Sequence, residues 1–89
     1  MARRDYATRD MVEYAAASGA PDALFQLGLM YCAGHDVELD LVTAHKWFNL
    51  AALRGNEEAK RYRLEIAQEM SRLEIARAQR LAREWLAAH

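Results

Sequence analysis

The sequence predicts an all-α protein of about five antiparallel helices stacked in pairs. Residues that favour helices, chiefly Leu, Ala, Glu, Arg and Met, dominate the 89 residues, whereas one Pro and four Gly leave little room for long loops. Apolar residues recur at helical spacing and no period-two alternation persists, so no sheet is expected. A repeat of 36 residues indicates stacked helical units.

The repeat relates the segment MVEYAAASGAPDA, residues 11–23, to WFNLAALRGNEEA, residues 47–59. Small residues coincide in one register, which favours two copies of the same helix and turn. The match fades beyond residue 59, as expected of a terminal unit that meets water instead of a neighbour. The matched positions are Met11 with Trp47, Val12 with Phe48, Tyr14 with Leu50, Ala15 and Ala16 with Ala51 and Ala52, Gly19 with Gly55, and Ala23 with Ala59.

The first two helices are bounded by Gly and Pro. The first is predicted over about 6–18, with Gly19 as its C-terminal stop. The second begins at Pro21, which suits a first helical position, and ends near Ala33, where Gly34 stops it.

A loop over 34–39 leads to the third helix, for which Asp40 is a good N-cap and Gly55 a C-terminal stop. His45 is expected at the edge of a helix contact. The apolar face of this helix should contain Leu41, Ala44, Phe48 and Ala51, with Trp47 extending it.

The last third of the chain is predicted to form two helices. Asn56 can cap the fourth, which should end near Glu69. Ser71 and Glu74 have the spacing of a capping box, so the fifth should start near Arg72; the alternative is one continuous helix from Asn56 onward. The apolar stripe of the fifth should comprise Ile75, Ala78, Ala82 and Trp85, with Leu81 and Leu86 beside it.

Small residues are expected where adjacent helices cross. Gly within a helix costs about 1 kcal/mol relative to Ala, so Gly28 requires a packing reason. We expect Gly28, Ala44, Ala51 and Ala52 to let helix backbones approach closely, with the larger Leu27, Tyr31, Trp47 and Phe48 filling the space around the contact.

These positions together resemble the Sel1-like repeat, a relative of the tetratricopeptide repeat. Asp36 stands where the family often has a second loop glycine, and Asp tolerates a left-handed backbone better than most residues. The resemblance rests on Ala23, Leu27, Gly28, Tyr31, Gly34, Val37, Asp40, Ala44, Trp47, Ala51, Ala52, Gly55 and Ala59.

The resemblance implies a short right-handed superhelix of helix pairs, similar to short bacterial members of the family. Residues 1–89 would form a single domain. An N-terminal half-repeat helix at 5–20 would precede a full repeat at 21–55, and a degenerate capping hairpin at 56–89 would follow it. With about two units present, capping helices or homo-oligomerisation would have to supply the remaining packing.

The family implies binding of another protein or a peptide rather than catalysis. The chain would act as an adaptor or regulatory subunit, and the alternative is a structural module that works by homo-oligomerisation. For Phe25 and Leu29 the competing interpretation is core packing, and Arg61 and Glu65 are spaced to pair with each other. The implied concave groove would present Phe25, Leu29, Cys32, Arg61, Glu65 and Gln68.

Nothing in the sequence predicts an enzyme, a metal or a cofactor. Cys32 and His35 are spaced like a ligand pair, but a zinc site needs four ligands or three and a water. No second Cys is present and His45 lies on a predicted helix. A Cys–His nucleophile would need an orienting group and an oxyanion site, and neither is evident.

Charge and composition favour a cytoplasmic protein that binds neither nucleic acid nor membranes. The net charge is −1, no apolar run follows the N-terminal arginines, and Cys32 is the single cysteine. Residues 10–58 are acidic and both ends are basic, with Arg3, Arg4 and Arg9 at one end. Glu74 and Glu84 dilute the field of the arginines on the fifth helix, which are Arg72, Arg77, Arg80 and Arg83.

Overall fold

A computed structural model describes the backbone of residues 2–89 and the side chains from residue 10 onward. Arg3, Arg4 and Arg9, which make the N-terminus basic, therefore lie outside the described side chains. Over the described backbone the protein is entirely helical, as predicted, and no strand occurs. The five helices are α1 (Ala2–Ala17), α2 (Pro21–Ala33), α3 (Leu41–Leu53), α4 (Glu57–Ala67) and α5 (Arg72–Ala88).

The predicted stops and the predicted loop conformation are confirmed. α2 ends at Gly34, whose φ of 69° is left-handed and whose N–H donates to the Met30 carbonyl. Asp36 follows with a φ of 67°, so the residue that replaces a loop glycine adopts the left-handed backbone that Asp tolerates. The loop then returns directly to α3.

Side-chain caps begin the last three helices. The Asp40 carboxylate accepts the Thr43 N–H at 3.2 Å at the start of α3. The Asn56 side-chain oxygen accepts the Ala59 N–H at 3.0 Å at the start of α4, and its NH₂ donates to Asp22 on α2 at 3.2 Å. Each cap satisfies an N–H that has no partner within its own helix.

A capping box separates α4 from α5, so the continuous-helix alternative is wrong. The Glu74 N–H donates to the Ser71 hydroxyl at 3.1 Å, and the Ser71 N–H donates back to the Glu74 carboxylate at 2.8 Å. Both bonds compete with continuation of α4 into α5. Helix α4 ends at Ala67, two residues before the predicted end at Glu69.

The centre of the molecule is α3, which packs against α2, α4 and α5, while α1 packs on α2. At the α2–α3 crossing, a Cβ added to Gly28 would lie inside van der Waals contact of the Phe48 ring. The prediction that Gly28 permits a close approach is therefore confirmed. Fully buried neighbours of this crossing are Leu24, Leu27, Ala44, Phe48, Leu50 and Ala51.

Two predictions about individual side chains, those for His45 and Leu86, are wrong. His45 is buried in the core, not at a helix edge. Met11 and Tyr14 occupy the repeat positions of Trp47 and Leu50, but they are 70% and 85% exposed. Leu86 is also exposed. Met11 and Tyr14 are exposed because α1 packs chiefly on α2, whereas three helices enclose α3.

The first helix also differs from its predicted limits. It begins at Ala2, four residues before the predicted start, and ends at Ala17. The prediction placed the start at the first aromatic residue, Tyr6. Helical propensity in the preceding residues extends the helix toward the N-terminus, since no Gly or Pro interrupts them.

Candidate protein-binding groove

Three of the predicted binding residues lie on successive turns of α2. Phe25, Leu29 and Cys32 have the i, i+4, i+7 spacing of one helix face, and each is half-buried against the core. The Phe25 ring is 5.7 Å from the Phe48 ring and 5.4 Å from the Tyr62 ring, centre to centre. Each of these side chains therefore packs partly against the core and is partly exposed to solvent.

The other three predicted residues lie on α4 or, for Gln68, at its C-cap, and all three are exposed. Arg61, Glu65 and Gln68 stand 36 residues after Phe25, Leu29 and Cys32, so they occupy the same repeat positions. The Arg61 guanidinium lies 3.9 Å from the Glu65 carboxylate and 3.3 Å from that of Glu58. The expected pairing of Arg61 with Glu65 is therefore present.

Tyr62 joins the two sets, and sequence reasoning missed it. Its ring contacts Phe25 on α2 edge to face, and its centre is 5.6 Å from that of Phe48 on α3. Ala59, Tyr62 and Ile66 share the spacing of a buried helix stripe, which was the available signal. We use the name α2–α4 face for the surface that contains Phe25, Leu29, Cys32, Arg61, Glu65 and Gln68.

The chemistry of Cys32 does not suit a nucleophile. Burial raises the pKa of its thiol, which reduces the reactive thiolate at neutral pH. The thiol donates to the Leu29 carbonyl at 3.6 Å. His35 extends into solvent from the loop, with a side chain 71% exposed and its Nε2 3.5 Å from the Asp36 carboxylate. In the part of the chain with described side chains, no three His, Cys, Asp or Glu residues are placed to hold a metal ion.

His45 is a buried polar residue that the repeat pattern does not explain. It is 4% exposed, and its Nδ1 has no hydrogen-bond partner among the described residues. Burial lowers the pKa of His45, and the nearby Arg63 guanidinium lowers it further. The neutral imidazole is therefore the form that the folded protein accommodates.

We expect the folded state to lose stability as the pH falls below about 6.5, where His45 takes up a proton in the unfolded chain. The sign follows from linkage: with a lowered pKa in the fold, the unfolded state binds more protons and acid favours it. Urea denaturation at pH 7.5 and at pH 5.5 measures the loss. The variant His45→Gln should show a smaller difference between the two pH values, and an undiminished difference would contradict this assignment.

Within the described residues, no helix is both long and apolar enough to cross a bilayer.

Comparison with known protein families agrees with this arrangement. The Sel1 repeat model matches residues 21–56, which comprise α2, its loop, α3 and the Asn56 cap. Residues 21–56 therefore form a Sel1 repeat, and the family resemblance is confirmed. No curated protein sequence matches the chain.

Sel1 repeats generally mediate protein–protein interaction and are typically not catalytic. The matched segment contains Phe25, Leu29 and Cys32. Arg61 and Glu65 lie beyond it on α4, and Gln68 is the C-cap of that helix. The α2–α4 face therefore combines the repeat with the helix that follows it.

Proposed function

We propose that this protein binds another protein or a peptide on its α2–α4 face. The observation that carries the proposal is the contact between Phe25 and Tyr62, which sets the corresponding faces of α2 and α4 side by side. Half-buried Phe25 and Leu29 provide apolar area, and the exposed side chains of α4 provide polar groups at the rim. Interfaces commonly combine these two kinds of surface.

The proposal describes an adaptor or regulatory subunit with no reaction of its own. The raised thiol pKa of Cys32 is consistent with this role, because it disfavours the most reactive nucleophile available. A single unpaired cysteine also suits the reducing cytoplasm of a bacterium. We propose further that residues 1–89 act as one domain, with 56–89 as the capping hairpin of the repeat at 21–55.

A structural module that works by homo-oligomerisation is the second candidate. One observation favours it: Met11 and Tyr14 are exposed on α1, although their repeat counterparts Trp47 and Leu50 are covered. Sedimentation velocity at increasing protein concentration separates the candidates. An adaptor should keep the monomer's sedimentation coefficient until its partner is added, whereas a self-assembling module should sediment faster as concentration rises.

Exchange of one ion pair tests the α2–α4 face. The variant Arg61→Glu with Glu65→Lys keeps the net charge and reverses both charges at exposed positions. We expect it to reduce partner capture from source lysate about tenfold, because rim charges control encounter and register. Quantitative mass spectrometry of the captured proteins measures the loss.

The chain offers a closely matched control on α5. Arg80 and Glu84 have the same i,i+4 spacing and similar exposure, and their charged atoms are 3.8 Å apart. The control variant Arg80→Glu with Glu84→Lys should retain the partner. Equal retention by both variants would place the binding site elsewhere, and equal loss from both would point to a general effect of charge.

A further inference from the structure

Charge is divided between the first and second helices of the helix pairs. The first helices and the α2–α3 loop, residues 21–40 and 57–69, contain eight acidic and three basic residues. The second helices, residues 41–54 and 72–88, contain two acidic and six basic residues. No Lys or Arg occurs anywhere from residue 10 to residue 45. The segments of α2, the α2–α3 loop and α4 therefore carry a net negative charge, and those of α3 and α5 carry a net positive charge.

The acidic residues of α4 concentrate on the edge beside α2. Tyr62 marks that edge, because its ring contacts Phe25. Glu58 and Glu65 lie four residues before and three after Tyr62, so helical spacing places them on the same side of α4. Glu69 follows just beyond the end of the helix at Ala67. Asp22 lies three residues before Phe25 on α2. Carboxylates thus border the apolar surface on both helices.

The basic groups of α4 are already engaged within the protein. The Lys60 ammonium lies 3.2 Å from the Glu57 carboxylate. Arg61 is held between Glu58 and Glu65. Arg63 donates to the Asn49 side-chain oxygen at 2.6 Å. These contacts engage the three cations and also three of the four carboxylates of residues 57–69, which keep a net charge of −1. The fourth carboxylate, Glu69, lies just beyond the end of α4.

We propose that the occupant of the α2–α4 face is a basic peptide segment that carries Lys or Arg residues around an apolar anchor. This inference rests on the proposed function and specifies the chemistry of its partner. The apolar anchor would pack on Leu29 and Cys32 beside the Phe25 and Tyr62 rings. Its cations would pair with Glu69 and, in competition with Arg61, with Glu65, since complementary potentials guide association and register. The same carboxylates repel the phosphates of nucleic acids and of acidic membranes.

A phage-displayed library of random 12-residue peptides supplies the probe. We expect selection on the immobilised protein to enrich peptides in which Lys and Arg outnumber Asp and Glu, relative to the unselected library. A synthetic copy of the most enriched peptide should bind at least fivefold more weakly at 0.5 M NaCl than at 0.05 M. Fluorescence anisotropy measures both affinities.

Two variants separate the apolar contribution from the charge contribution. Glu65→Gln with Glu69→Gln should weaken the synthetic peptide about tenfold, whereas the off-site pair Glu13→Gln with Glu84→Gln should leave its affinity unchanged. Leu29→Gln keeps all charges but removes apolar surface, and it should also weaken binding. If circular dichroism shows that Leu29→Gln is unfolded, the exposed substitution Gln68→Trp serves instead, because its bulk obstructs the same face.

The outcomes distinguish failure of this inference from failure of the proposed function. Neutral or acidic peptides that depend on Leu29 would overturn the inference and leave the α2–α4 face as a binding site. Peptides unaffected by Leu29→Gln and Gln68→Trp, or no enrichment at all, would overturn both. Self-association in sedimentation velocity that Glu65→Gln with Glu69→Gln abolishes would identify a second copy as the occupant, and this would overturn the separate basic peptide.

Discussion

Gly28→Leu should lower the free energy of unfolding by about 1–3 kcal/mol, the usual range for an overpacked core. The reason is geometric, because the Phe48 ring already fills the space into which any side chain at residue 28 would extend. The rings of Phe25 and Tyr62 pack around Phe48, so the ring cannot move aside freely. Urea denaturation followed by circular dichroism measures the change.

Gly28→Ala with and without Phe48→Leu provides the control for this prediction. Ala favours helices by about 1 kcal/mol over Gly, so Gly28→Ala on an open helix surface would be stabilising. At this crossing we expect it to destabilise, and Phe48→Leu should relieve part of that cost by removing ring atoms. If Gly28→Ala stabilises the protein in both backgrounds, the close approach of α2 and α3 does not explain Gly28.

Phe48→Ala should have the largest effect, a loss of about 3–5 kcal/mol, which is typical for a buried phenylalanine. Phe48 is fully buried, and its ring packs against the rings of Phe25 on α2 and Tyr62 on α4. Small domains are stable by only about 5–15 kcal/mol, so the variant should be close to unfolding at room temperature. The midpoint of guanidinium denaturation reports the loss.

Leu53→Ala on the same helix is the matched control, because Leu53 is apolar but 63% exposed. Surface substitutions usually change stability by no more than about 0.5 kcal/mol. A loss of similar size in both variants would show that helix propensity, and not the three-ring contact around Phe48, dominates the stability of α3.

Local signals in the sequence predicted the helices and their ends with few errors. Gly34, Asp40, Asn56 and the Ser71–Glu74 pair act within one turn of their own position, so their effects do not depend on the rest of the fold. Gly28 was also predictable, because a helical glycine needs a packing reason. These features account for the five-helix architecture.

Side-chain environments that depend on several helices were predicted less well. Tyr62 lies between α2 and α3, and its role requires knowledge of how α4 is placed against both. His45 is buried because three helices enclose α3, and no spacing within one helix shows this. Met11 and Tyr14 are exposed although they share the repeat register with Trp47 and Leu50, because α1 packs mainly on α2.

Asn56 has a consequence for the placement of α2 and α4 relative to each other. One end of its amide holds the first turn of α4, and the other end donates to Asp22 in the first turn of α2. A single planar group therefore sets the separation of α2 and α4 where both helices begin. The same side chain both begins α4 and links it to α2, so a substitution at Asn56 should affect the helix and its placement together.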